Sequence, residues 1–163
     1  LPKVAVDSLG QAYVAWITYT PHPDRRFFVY FRLRSAGGTW GPVQQVVGDS
    51  VADITLGGLV VDSSGKAYVT WQSEAGWVAK LRARASNGSW GDVESIGMGE
   101  PVDMVVDASD NVHTALNNNG AVYYRFRSAA GVWGTLEMVS DALFYRTYAI
   151  DVDGSGNAES EFW

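Results

Sequence analysis

The chain repeats itself, and that constrains its fold more than any other property. Four segments align without gaps: VAVDSLGQAYVAW (4–16), LVVDSSGKAYVTW (59–71), MVVDASDNVHTAL (104–116) and IDVDGSGNAESEF (150–162). Three others align with one another: VYFRLRSAGGTWG (29–41), AKLRARASNGSWG (79–91) and VYYRFRSAAGVWG (122–134). The marker aspartates Asp7, Asp62, Asp107 and Asp153 stand 55, 45 and 46 residues apart; an insertion around 20–27 lengthens the first interval. A period in this range marks one supersecondary unit stacked on copies of itself.

Each unit reads as four strands. The first segment is a hairpin: an apolar strand, an Asp-x-x-Gly turn whose aspartate accepts backbone N–H bonds, and an alternating strand. Ala12, Val14 and Trp16 share one face of that second strand, as do Ala67, Val69 and Trp71. The opposite face carries Tyr13, Tyr68, His113 and Glu159 at one equivalent position. A third alternating strand follows, then a Gly-x-Trp-Gly turn and a fourth strand at 43–47, 93–96 and 136–139. No helical period of useful length exists.

Four strands in about 45 residues is the pattern of a β-propeller blade. The predicted fold is therefore all-β, a propeller of four-stranded antiparallel blades, about three and a half of them. Residues 1–48, 49–98 and 99–141 form the blades, and 142–163 the first hairpin of a fourth. Such a blade is apolar on both faces and cannot stand alone, so further blades, from a longer parent chain or another copy, are expected to complete the ring.

Composition narrows the function. There are no cysteines among 163 residues, which removes disulfide frameworks, thiol catalysis and cysteine metal sites. The net charge of −6 argues against nucleic acid as the main partner. Apolar runs of only a few residues leave nothing to insert into a membrane as a helix.

Sites on such a scaffold are expected on the loops joining strand two to strand three and strand four to the next blade: 18–26, 72–77, 97–103, 117–120, 49–57 and 141–148. These loops hold Asp53, Glu100, Asn117, Asn118, Asn119, Tyr145 and Arg146, side chains suited to polyols. Trp77 stands in the 72–77 loop, where an indole can stack on a sugar ring, whereas Trp16, Trp40, Trp71, Trp90 and Trp133 recur at repeat positions and read as core. Arg25 lies in the only strongly non-repeating stretch, Pro21–Arg26, where function is often grafted. The pairs Arg32/Arg34, Arg82/Arg84 and Arg125/Arg127 could grip carboxylates, but recurrence in every unit favours packing.

Asp151, Asp153, Ser155 and Glu159 place oxygens with the alternation that a hard cation such as Ca²⁺ wants, although the other units put an apolar residue where Asp151 stands. No other cofactor is implied. Catalysis finds little support, since neither His22 nor His113 has an identifiable partner.

The run G-x-V-Y-Y-R-x-R-x-x-x-G-x-W-G, as in Gly120–Gly134, resembles the blade repeats of bacterial and fungal propeller lectins. The hairpins also resemble the VDxxGxAxVxW repeats of large secreted bacterial propeller proteins. A more distant likeness links Ser35–Trp40 to the sialidase Asp-box turn, without its aspartate. The lectin resemblance implies sugar binding between blades, on loops at one end of the ring. The expected function is a non-catalytic, secreted or cell-surface module recognising carbohydrate or polysaccharide. The alternatives are part of a propeller glycosidase or polysaccharide lyase, or a structural propeller with protein partners only.

Overall fold

A computed structural model describes residues 1–21, 23–50, 53–73, 75–141, 148–153 and 158–162; at 49–50, 148 and 158–162 the description covers the backbone. Among these residues every regular element is a strand. The first sheet is β1 (Lys3–Val6), β2 (Ala12–Tyr19), β3 (Phe27–Arg34) and β4 (Gln44–Ser50). The second is β5 (Ile54–Val61), β6 (Ala67–Ser73), β7 (Val78–Arg84) and β8 (Trp90–Met98). The third is β9 (Glu100–Val106), β10 (Val112–Asn118), β11 (Ala121–Arg127) and β12 (Trp133–Ser140), and a hairpin of β13 (Tyr148–Val152) and β14 (Ala158–Phe162) follows. Each sheet is an antiparallel meander in chain order. The first strands of successive sheets, β1, β5, β9 and β13, lie beside one another as blades do around an axis. Among the described residues the sheets do not close into a ring.

The aspartate turns form as the sequence requires. Asp7 Oδ1 accepts the N–H groups of Leu9 and Gln11, Asp62 Oδ1 those of Ser64 and Lys66, and Asp107 Oδ1 those of Ser109 and Asn111. The second carboxylate oxygen clamps the facing strand. Tyr13 and Tyr68 each donate a phenol proton to it at 2.9 Å, and His113 takes their place in the third sheet. This satisfies the polar groups of a tight turn at the edge of an apolar core.

Two buried clusters fill the joints between sheets. Val29, Phe31, Leu59, Val69 and Trp71 belong to the first, between the first and second sheets. Tyr68, Leu81, Ile96, Val112 and Leu116 belong to the second, between the second and third. Close approach near the axis needs glycine: a Cβ on Gly57, at a bulge in β5, would come within 2.5 Å of the Pro101 side chain.

In the second and third sheets the arginine pairs are bolts across these joints. Arg32, Arg82 and Arg125 each donate Nε to the carbonyl of the turn glycine, Gly41, Gly91 and Gly134, and lie over Trp40, Trp90 and Trp133. Arg82 and Arg125 then reach into the preceding sheet, to the carbonyls of Val46 and Ile96. A guanidinium can do both because its donors are fixed in a planar fork. The expectation that all five repeat tryptophans are core needs correction. Trp71 is buried, Trp16 is half-buried, and Trp90 and Trp133 are half-buried with Nε1 bonded to Gln44 and Glu94 of the preceding sheet. Trp40, in the first sheet, is 42% exposed. The position is shielded only where a preceding sheet covers it, and even then packs at the edge of a buried cluster rather than within it.

Candidate functional site

The connection from the second sheet to the third, expected at 97–103, is one residue long. β8 ends at Met98 and β9 begins at Glu100. Gly99 makes the turn with φ +120°, a conformation that side-chain-bearing residues rarely adopt. Its N–H donates to the Trp77 carbonyl at 2.7 Å. A Cβ at Gly99 would meet the Asn117 carbonyl oxygen at 2.5 Å. Three segments therefore converge on Gly99: the β6–β7 loop, the β8–β9 turn and the end of β10.

Around that convergence opens a cleft of 460 Å³, lined by Trp77, Glu100 and Asn117–Asn119, with Gln72, Met98 and Gly99. Trp77 closes the β6–β7 loop at φ +52°, where a bulky side chain is a genuine outlier. Holding it costs on the order of 1–3 kcal/mol, and such strain clusters at functional sites. The result is an indole 57% exposed at the cleft. Asn119 (φ +53°) and Gly120 (φ +88°) form the two-residue β10–β11 loop, the combination of a type I′ hairpin. Asn117 accepts the Gly120 N–H through Oδ1 at 3.1 Å, which leaves its two N–H donors uncommitted among the described residues. Gln72, only 4% exposed, adds a second amide, and Glu100 adds a negative charge at the first position of β9. An aromatic plate, amides and a carboxylate thus share one concave surface.

Five expected site residues, Trp77, Glu100, Asn117, Asn118 and Asn119, meet in this cleft. Asp53 does not line it, standing half-buried just before β5. Arg25 is also elsewhere, with its guanidinium 4.7 Å from the ring centroids of both Tyr19 and Phe27. Its loop is tied by the Thr20 hydroxyl, which donates to the Asp24 carbonyl and accepts the Arg26 N–H. Tyr145 and Arg146 lie outside the described residues. Gln72, Met98 and Gly99 fall within the expected site loops 72–77 and 97–103 without standing out there; the structure places the first two at the ends of strands β6 and β8 and leaves Gly99 alone as the turn.

The cation reading is only partly visible. Asp151 lies exposed on β13 with Oδ1 accepting the Val152 N–H, and it stands directly opposite Glu159 in the β13–β14 register. Asp153 follows the strand, and Ser155 and the Glu159 side chain lie outside the description. Among the described residues no three histidine or acidic side chains gather as metal ligands would.

No family model matches the chain, and no curated protein matches it.

Proposed function

We propose that the chain is a carbohydrate-binding module, secreted or at the cell surface, whose site is the cleft between the second and third sheets. One observation carries the reading: Trp77 is held in a strained backbone conformation that presents its indole beside the amides of Gln72 and Asn117 and the carboxylate of Glu100. A sugar ring has an apolar C–H face and a rim of hydroxyls. The indole covers the face, and amide and carboxylate groups bond adjacent hydroxyls. The cleft volume falls within the ~300–1,000 Å³ range of small-ligand sites. A loop already fixed in its binding conformation lowers the ordering cost that recognition would otherwise carry.

A glycan array tests the proposal. The chain should retain a restricted set of oligosaccharides, and Trp77→Ala should lose them while unfolding at nearly the same temperature. A blank array, or full retention by Trp77→Ala, would overturn the reading.

A further inference from the structure

The arginine bolts differ in one respect between the two joints. Arg127 is held by a carboxylate, with Nε donating to Glu94 Oε2 at 2.9 Å and Nη2 to Oε1 at 2.8 Å. Its counterpart Arg84 meets Gln44 instead. The Gln44 Oε1 accepts Arg84 Nε at 2.7 Å and Trp90 Nε1 at 3.2 Å. The other end of a carboxamide is a donor, so where Glu94 offers a second oxygen Gln44 has none. Arg84 is 8% exposed, its Nη1 reaches only the Ala85 carbonyl at 3.4 Å, and no carboxylate pairs with it among the described residues. A buried guanidinium without a counter-charge is costly, and burial pushes its pKa down.

Arg84 lines a pocket of 180 Å³ between the first and second sheets, at the strand ends opposite the cleft. Ser8 and Ser86 bring hydroxyl donors to it. Asp7 lines it too, but its oxygens already accept from the Leu9 and Gln11 backbones, the Gln11 amide and the Tyr13 phenol. The pocket is open for a reason visible in the repeat. At the next joint Asp110 receives both the N–H and the hydroxyl of Ser63, at 2.8 and 2.7 Å. At this joint the equivalent residues are Ser8 and Gly65, and Gly65 has no side chain with which to make that bridge.

We propose that this pocket binds a small carboxylate, which pairs with the Arg84 guanidinium beside the Nε that Gln44 already holds and takes hydrogen bonds from Ser8 and Ser86. The site is independent of the glycan cleft.

The test is a titration with sodium acetate at constant ionic strength, followed by melting temperature and by the Ser8 and Ser86 amide resonances, with chloride and phosphate as separate arms. Acetate should saturate, shift both resonances and raise the melting temperature; chloride should do neither. Gln44→Glu supplies the missing oxygen from within and should abolish the acetate response. Gly65→Asp, which restores the bridge to Ser8, should abolish it by closing the mouth. Gln45→Glu, carrying the same added charge on the exposed neighbour, should keep it. The proposal fails if acetate does not saturate, if chloride or phosphate acts as strongly, or if either Gln44→Glu or Gly65→Asp, once shown to be folded, retains the full response.

Discussion

His113 Nε2 lies 3.2 Å from Asp107 Oδ2, the contact that Tyr13 and Tyr68 make to Asp7 and Asp62 with a phenol proton at 2.9 Å. The imidazole extends the clamp, because its Nδ1 is 2.8 Å from the Tyr124 hydroxyl on β11. Among the described residues Tyr13 and Tyr68 bond the turn aspartate alone; the histidine joins turn, β10 and β11.

This clamp gives the protein an acid limit. Burial alone would raise the Asp107 carboxyl, but bonds from Asn111, His113 and the Ser109 N–H outweigh it and hold the pKa at about 2. Asp7 and Glu94 are displaced downward for the same kind of reason, burial being outweighed in each by the hydrogen bonds it accepts. A depressed folded-state pKa contributes stability that is present above the unfolded value near 4 and lost as pH falls toward 2. The melting temperature should be flat from pH 7 to 5 and fall between pH 4 and 2. Asp107→Asn should lower the unfolding free energy by about 1 kcal/mol at pH 7 and make the acid limb shallower, as a pH series of thermal melts would show.

Removing one half of the Arg127–Glu94 pair leaves a charge beside the second core. Glu94→Gln should cost about 2 kcal/mol, less than a fully buried pair because the Glu94 side chain is partly exposed. The urea midpoint measures it.

Burial separates the repeat tryptophans. Trp71→Ala should cost about 3–5 kcal/mol in urea denaturation, as truncation of a fully packed aromatic does. Trp40→Ala, at a half-uncovered position, should cost under about 1 kcal/mol.

Gly99→Ala places a methyl group against the Asn117 carbonyl at a φ that alanine resists. The expected loss is about 3 kcal/mol, with displacement of the Trp77 loop that Gly99 anchors. Thermal melts give the first, and the Trp77 indole resonance gives the second.

The strand order and the turns were legible because each unit states them again: Asp-x-x-Gly, with Asp110 in the glycine's place in the third unit, and three copies of Gly-x-Trp-Gly average out local ambiguity. Loop residues such as Trp77 and Asn117 stood out by departing from the repeat. Gln72 and Met98 did not, because their side chains are ordinary within the expected loops and only the strand ends of β6 and β8 bring them to the cleft. Trp40 was misjudged for a related reason. Its sequence position is identical to that of Trp90, and only the neighbour opposite differs. The contrast between Gln44 and Glu94 is one atom in the sequence, and it acquires meaning only when Arg84 and Arg127 are seen to face them.

The most direct measurement is an amide and indole NMR titration of the full chain with an oligosaccharide selected on the array. Shifts should concentrate on the Trp77 indole N–H, the Gly99 and Glu100 amides and the side-chain amides of Gln72 and Asn117, and saturate together. Trp77→Ala should weaken binding by tenfold or more, the loss expected of an aromatic anchor worth about 2 kcal/mol. Saturable shifts at the Arg25 loop or on the β13–β14 hairpin, with the cleft silent, would contradict the assignment of this cleft as the glycan site.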